Sequence, residues 1–450
     1  MSVSRIEMPA ESVPVAAEVD ICVVGGSCTG VFAAVRAARL GARAAVIERQ
    51  GCFGGVATSG LVSIWHSLKD EVREREIIGG LTREVIDRLD KRSAVHRSDC
   101  RVNAFRLNTE ELKIELDELV TEHDVVPFLD TFFSAPLLED GVLIGVVVQT
   151  VSGRKAILAK CFVDATGDGR LARAVGCAEA NVDSFQPPTM CAKIWGMHTL
   201  DDWDWQAAIN DHGAEFALEP DWGWNARIPG LPGLQMHADC HVFNVDTADA
   251  DSLTASQIEG RRKIRAVMDI IRNYGPPHGV IGLADIAETI GVRETIRIEA
   301  RHKIVAEELL TGTRYEDAIA NGSYRVDIHH ADGPGISFRY LDGTEVVVPQ
   351  RGAEAIVRRW REETDTNPTF YQIPLRSIVP RNIPNLMLSG RMLDADKMAF
   401  SAVRVMVNMN QTGEAAGVAA YIAIDRNAAV QSISATDVRA ALEKGGSIVI

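Results

Sequence analysis

The strongest constraint in this chain is local. An apolar, β-branched run from Val19 to Val24 (VDICVV) ends at Gly25 and Gly26 and is followed by an Ala-rich stretch, Thr29 to Leu40. β-Branched residues suit a pleated surface and alanine loses least on becoming helical, so the pattern predicts strand, tight turn and helix. Gly41 stops the helix and Ala44 to Glu48 (AAVIE) reads as a second strand, which makes the segment a βαβ unit with parallel strands. The turn Gly25-Gly26-Ser27-Cys28-Thr29-Gly30 carries the first and last glycines of a GxGxxG pattern, with Ser27 in the middle position. Gly25 permits the sharp turn, Gly30 lets helix and strand approach, and the helix N-terminus offers unpaired N–H groups to a pyrophosphate. Glu48 ends the second strand where a carboxylate can accept hydrogen bonds from both ribose hydroxyls of an adenosine. A dinucleotide site is expected; these residues alone do not divide FAD from NAD.

With 450 residues, 46% of them hydrophobic, the chain is long enough for two packed domains. Its formal charge of -15 argues against a nucleic-acid partner, which needs clustered Lys and Arg. No apolar run approaches the roughly 18 residues of a membrane span. The opening stretch MSVSRIEMPAESVPVAAE has charges and prolines where a signal peptide needs an unbroken apolar segment. A cytoplasmic protein with no membrane partner is expected. The cysteines at 22, 28, 52, 100, 161, 177, 191 and 240 form no CxxC pair, so no metal centre is suggested and reduced thiols are expected.

Further along, Thr109 to His123 predicts a helix with Thr109 at its cap, from apolar residues at 112, 114, 116, 119 and 120. From Val125 to Asp164 the runs VVPFL, LIGVVVQTV and KAILAKCFVDA, with turn pairs Asp140-Gly141 and Ser152-Gly153, predict an antiparallel meander whose last strand rejoins the first sheet. The next part mixes Trp-rich loops near Trp222 and Trp224, a long helix from Thr254 to Tyr274, another from Arg293 to Leu310, short strands, and an extra helix at 352–367. Asn385 to Ser389 predicts a strand and Gln411 to Ile424 an Ala-rich helix, so the chain returns to its first domain. The expected division is a flexible arm (1–18), a cofactor domain (19–180), a substrate domain (181–370) and the second part of the cofactor domain (371–450).

Six blocks in order make the chain resemble the FAD-dependent oxidoreductases of the glutathione-reductase-type fold, from about Val19 to Ala420. They are the glycine turn; Gly51 to Val62 (GCFGGVATSGLV); Asp164 to Gly169 (DATGDG); Gly291 to Thr295 (GVRET) with Val326 to His329 (VDIH); Tyr371 to Arg376 (YQIPLR); and Gly390-Arg391 through Gln411 to Gly417. The resemblance implies an α/β fold: a Rossmann-like FAD-binding domain with an antiparallel β-meander and an inserted α+β substrate domain. It implies FAD as cofactor, held by Gly25, Gly26, Ser27, Cys28, Thr29, Gly30, Glu48 and Arg49, and by Gly54, Gly55, Ala57 and Thr58 of the second glycine segment. Further along, it implies Ala165, Thr166, Gly167, Asp168, Gly390, Arg391, Arg404, Thr412, Gly413 and Ala416. Asp168 has the alternative of anchoring its own turn, and Gly413 to Gly417 that of packing rather than offering a helix N-terminus to the flavin. Ser27 and the stretch Asp394-Ala395-Asp396-Lys397 depart from the family pattern, and Lys397 would alter the charge beside the flavin.

For substrate chemistry, Arg293 and Arg297 would share one face of a helix and could clamp a carboxylate; the plainer alternative is a surface ion pair of Glu294 with Arg297. His329 and His302 are the proton carriers by type, and a lone histidine is also commonly structural. Tyr371 and Arg376 are expected at the flavin's open face, and His66 within reach of the ring. The expected reaction is hydride transfer between a small polar substrate and flavin N5. Alternatives are a fumarate-reductase-like reductase of an activated double bond, and a flavin-dependent RNA-modifying or non-catalytic flavin-binding protein. One βαβ fingerprint and no redox-active cysteine pair leave an external electron acceptor or donor as partner; a homo-oligomer is compatible with the sequence.

Overall fold

The computed structural model describes residues 6–98, 104–200, 202–277 and 279–450. The predicted unit is present as β1 (Val15–Val24), α1 (Cys28–Arg39) and β2 (Ala44–Ile47), with β1 and β2 parallel from Ile21↔Ala44 to Val24↔Ile47. β1 starts inside the stretch expected to be a flexible arm, because Val15 already pairs with Ala156 of the strand Gly153–Asp164.

That strand organises the sheet. One edge pairs with β1; the other is divided, its first half taking Val142–Thr150 antiparallel and its last residues taking Leu386–Leu388 parallel. The meander is completed by Phe132–Glu139, while Val126–Phe128, expected within it, pairs parallel to β2 instead. Its chain arrives from the helix Thr109–Thr121, and a helix on the face of a sheet returns the chain to a parallel strand. That helix is capped by Asn108, not Thr109: the Asn108 side chain accepts from the Glu110 N–H at 3.1 Å.

The strand at 386–388 forms as predicted. The closing helix, however, runs from Met406 to Asp425, so Gly413 and Gly417 lie in its middle rather than at its start. The polar run Asn408, Asn410, Gln411 occupies the first turns, where an Ala-rich pattern alone does not reveal a helix. The two glycines press this helix onto α1: a Cβ at Gly413 would sit 2.1 Å from the Thr29 carbonyl oxygen, and one at Gly417 2.1 Å from that of Ala33. Beside them the Arg36–Glu414 ion pair, at 2.7 Å, is almost fully enclosed.

A second, antiparallel sheet runs Trp224–Ile228, Leu231–His241, Thr189–Trp195, Gly282–Ile286 and is backed by the helix Ala250–Tyr274, which starts before the predicted Thr254 because Asp249 caps it through the Ser252 N–H. Met190, Ile194, Met236, Ile264, Val267 and Ile271 fill the space between them. A third sheet comprises Val326–His329, Ile336–Arg339, Thr344–Val348 and Ile356–Arg359. The last of these lies where an extra helix was expected at 352–367; Ile356 and Val357 are β-branched and pair with Val347 and Val346. The helix expected from Arg293 to Leu310 is also absent but for the short Ala306–Leu310. Ile296, Ile298 and Ala300 alternate and bury together, which is a period of two, and Arg297–Ile298 is a strand. Among the described residues no helix is long and apolar enough to cross a membrane, and the described cysteines are free; Cys100 lies outside the described residues.

In an uncrowded helix Gly→Ala stabilises by about 1 kcal/mol. At Gly413 the added methyl meets backbone that cannot swing aside, so Gly413→Ala is expected to lower stability by roughly 2–3 kcal/mol in chemical denaturation. A stabilised variant would show that the two helices are not in fixed contact.

Candidate active site

The parallel strands deliver their C-terminal ends to one cleft. It is lined by Gly25, Ser27, Cys28 and Thr29 from the first turn, Glu48 and Arg49 after β2, Gly54 and Gly55, Ala165 to Gly167, and Gly390, Arg391, Arg404, Met406, Met409 and Asn410. Gly25 has φ +106°, and a Cβ there would lie 2.4 Å from the Ala165 carbonyl oxygen; at Gly30 it would lie 1.8 Å from the Gly25 carbonyl oxygen. Both positions therefore demand glycine, which brings the two strand ends and the start of α1 together. No side chain caps α1, so its first N–H groups remain available at the cleft.

Glu48 is 7% exposed. One of its oxygens accepts from the Gly26 N–H at 2.8 Å and the other from the Gln50 N–H at 3.0 Å, which leaves further lone pairs on the cleft side. Burial raises its pKa, against the pull of these two bonds. The same cleft carries Arg49, Arg170 and Arg391. Asp168 does not line the cleft: it binds Arg170 at 3.1 Å and Arg391 at 2.7 Å, and these guanidiniums with Arg49 outweigh burial and hold its carboxyl below the usual range. Burial, then repulsion from Arg170, lowers the Arg49 pKa.

The remaining expected cofactor residues support the cleft from behind. Gly26 holds Glu48, and Gly30 packs the turn. Ala57 is buried in the short turn Gly55–Ala57, and the Thr58 hydroxyl donates to the Phe53 carbonyl at 2.7 Å. Thr412, Gly413 and Ala416 lie within the closing helix away from the cleft; the Thr412 hydroxyl donates to the Met409 carbonyl and meets Ser389. The residue the sequence did not bring forward is Asn410. It is fully buried, lines the cleft near the start of the closing helix, and neither its amide oxygen nor its amide nitrogen has a partner among the described residues. An orphaned donor and acceptor side by side fit a ligand edge that offers the complementary pair. The Asn-Met-Asn-Gln run in an otherwise apolar helix was its only signal.

The expected substrate residues separate. Arg293 and Arg297 are not on a helix. Arg297 is buried against Glu294 and over the Phe400 ring, 4.4 Å from its centroid, so it is neither a clamp nor half of a surface pair. Arg293 reaches the Pro187 carbonyl at 2.7 Å and the Thr189 hydroxyl. His329 is enclosed, with Nε2 3.3 Å from Asp327 and its ring 4.8 Å from that of His241. His241 Nδ1 is 2.5 Å from Asp221, and both histidine pKa values are lowered, first by burial and, at His329, next by Arg293. His237, Asp239 and His241 alternate along one strand, a period-two polar face visible in the sequence.

Five candidates lie outside this grouping. The Tyr371 hydroxyl is fully buried among the Tyr324 and Ala402 carbonyls and the Asn408 amide. Arg376 forms a half-exposed pair with Asp317 at 2.7 Å, and His302 pairs with Glu308 at 3.1 Å. The His66 ring lies 4.0 Å from that of Tyr324, tilted by 32°, in a small pocket apart from the cleft. Lys397 is exposed, donates to Ser184, and lines, with His329, a groove separate from this cleft.

No curated protein matches the sequence. Solved structures that resemble it include a geranylgeranyl bacteriochlorophyll reductase-like protein from Thermoplasma acidophilum, 11% identical over 95% of this chain and 83% of that one, with a TM-score of 0.43. Another is p-nitrophenol 4-monooxygenase from Pseudomonas putida, 11% identical over 95% and 89%, TM-score 0.41. A third is aklavinone-11 hydroxylase in complex with FAD and aklavinone, 13% identical over 92% and 63%, TM-score 0.42. The profile of the family described as FAD dependent oxidoreductase matches residues 20–442, nearly the whole chain, and the protein is a member of that family of FAD-dependent enzymes.

Proposed function

We propose that this enzyme moves a hydride between a small polar substrate and flavin N5, with His329 taking up or returning the accompanying proton. The observation that carries the reading is the convergence on one cleft of Glu48, the uncapped start of α1, the Ala165–Gly167 turn and the orphaned Asn410 amide. Glu48 would hold the ribose hydroxyls, the α1 amides the pyrophosphate, and Asn410 the hydrogen-bonding edge of the flavin ring. FAD bound in this way supplies a two-electron acceptor or donor.

His329 sits one residue behind the cleft wall. Arg404, which lines the cleft, donates to Gln186 Oε1 and to the Asp327 carbonyl, and the same Gln186 oxygen accepts from the His329 backbone N–H. Burial, and next the Arg293 charge, push the His329 pKa down, which favours the neutral imidazole that can accept a proton. The His241–Asp221 pair extends this array away from the cleft, with His241 Nε2 unpartnered among the described residues. We assign 181–370 to the substrate side on the same grounds, and an external carrier to the second half-reaction.

Glu48→Gln keeps the shape of the side chain and removes its charge. The loss of charged hydrogen bonds of about 1.5–3 kcal/mol should weaken flavin retention by roughly 10- to 100-fold, read as flavin content after dialysis; unchanged content would sink the ribose assignment. For the proton step, anaerobic flavin bleaching against a panel of hydroxy acids, amines and sugars identifies a substrate. With it, His329→Gln should lower kcat by about 10²–10⁴-fold at little cost in KM. Only the neutral imidazole can act as the base, so the acidic limb of kcat/KM in the wild type should fall below pH 6.5, where His329 becomes protonated. A limb above that value would assign the proton elsewhere.

A further inference from the structure

A neutral imidazole carries one proton and one free lone pair, and its hydrogen bonds decide which nitrogen holds which. His241 shows the rule. Its Nδ1 lies 2.5 Å from Asp221 Oδ2, and an ionised carboxylate can only accept, so Nδ1 carries the proton. His241 Nε2 is left buried with no partner among the described residues.

His329, whose ring lies 4.8 Å from that of His241, is paired the other way round. Its Nε2 is 3.3 Å from Asp327 Oδ1, and that oxygen is buried without a hydrogen bond among the described residues. The other oxygen of the carboxylate, Oδ2, already accepts from the Tyr324 hydroxyl. Arg404 donates to the Asp327 carbonyl and comes no closer than 3.9 Å to the carboxylate, at Oδ2. His329 Nε2 is therefore the donor at hand for Oδ1. A bare Nε2 would set two lone pairs against each other in a desolvated site and leave Oδ1 unmet. With Nε2 protonated, the lone pair of the neutral ring falls on Nδ1, which has no hydrogen bond among the described residues; the Gln186 side chain is held by the backbone N–H instead. His329 is 5% exposed and lines the groove that carries Ser184 and Lys397, so the enclosed residue borders open space.

We propose that Asp327 positions His329 by holding its Nε2–H, so that Nδ1 is the atom that takes or returns the substrate proton. This role rests on reading His329 as the base. As the substrate gives a hydride to the flavin, the proton on its hydroxyl or amine passes to Nδ1; in the opposite direction Nδ1 returns it. The imidazolium so formed keeps its Nε2–H on Asp327, and the carboxylate compensates the new positive charge. Compensation matters because burial, and then the charges of Arg293, His241, Arg404 and His330, disfavour the imidazolium, while Asp221 is committed to His241. On the groove side Lys397 stands with Asp183, Asp246 and Asp332. Tyr324 fixes the far oxygen of Asp327, and the Asp327 carbonyl ties the pair to Arg404 at the cleft wall.

The tautomer can be read directly, by two-bond ¹H–¹⁵N correlation on the flavin-loaded full chain labelled with ¹⁵N-histidine. Above about pH 7 one histidine should show Nε2 protonated and Nδ1 bare. It is assigned by its loss in His329→Gln or, where that variant does not fold, by its displacement in Asp327→Asn. A protonated Nδ1, or a rapidly exchanging mixture, would overturn the proposal. In turnover, Asp327→Asn should lower kcat by about 10²-fold or more at little cost in KM. Flavin content should stay unchanged, because the contact of Arg404 is with the Asp327 backbone. The acidic limb of kcat/KM should move down by about one pH unit, since loss of the carboxylate charge disfavours the imidazolium further, and Asp327→Glu should recover part of the rate. A merely structural role would not move the limb, so an unmoved limb or an intact kcat sinks the positioning role. Undiminished kcat in His329→Gln would defeat the reading of His329 as the base, and with it the role of Nδ1. The spectrum needs no substrate and judges the tautomer separately.

Discussion

The backbone contact between α1 and the closing helix sets the geometry on which the rest depends. With no side chain at Gly413 or Gly417 to separate them, two helices from opposite ends of the sequence lie in close backbone contact. Their N-terminal ends, Ser27–Cys28 and Val405–Met406, are thereby brought to one cleft. Each end contributes the positive pole of a helix dipole. The cleft adds Arg49, Arg170, Arg391 and Arg404, with Glu48 as the one acid among its lining residues. A chain with a formal charge of -15 thus holds a locally positive site, because dipoles and arginines a few ångströms away outweigh distant carboxylates screened by solvent and salt.

Glu48 shows how the same polar groups serve both fold and site. Its carboxylate ties the end of β2 to the Gly26 amide, so the second strand and the first turn are joined through the group that also faces the cleft. Enclosure makes that charge costly, and two backbone N–H groups offset only part of the cost, as its raised pKa records. Additional donors from a ligand would complete its coordination. Asp168 belongs to the other class: two arginines hold it so firmly that its charge is committed to positioning them.

What could be read from the sequence was what local chemistry decides. The VDICVV strand, the glycine turn, the Ala-rich α1 and the acidic end of β2 lie within thirty residues, and their pattern admits few alternatives. The structure departs from the local pattern where that pattern serves two periods or where the decisive partner is remote. Ile296, Ile298 and Ala300 already alternated, yet the charges between them imitated a helix face. The start of the closing helix was hidden by polar residues whose purpose becomes apparent only when the cleft is assembled around Asn410. The contacts of Arg293 with Pro187 and Thr189 depend on loops folding across one another, and no spacing rule encodes them.

Buried polar groups lacking a protein partner are expensive, and a fold tolerates them where something else supplies the missing bond. Some here, such as Trp65 Nε1 and Thr82 Oγ1, are scattered. Asn410 and the Arg404 Nε, however, line or adjoin the cleft, and His241 Nε2 and Asp327 Oδ1 belong to the polar cluster just behind it. The ion pairs at Arg36–Glu414 and Arg297–Glu294 hold buried charges together in the same fold, although the Nε of each arginine also lacks a partner among the described residues. Matched charges hold the elements together, while the Asn410 amide, with neither polar atom partnered among the described residues, lies where a bound cofactor would complete it.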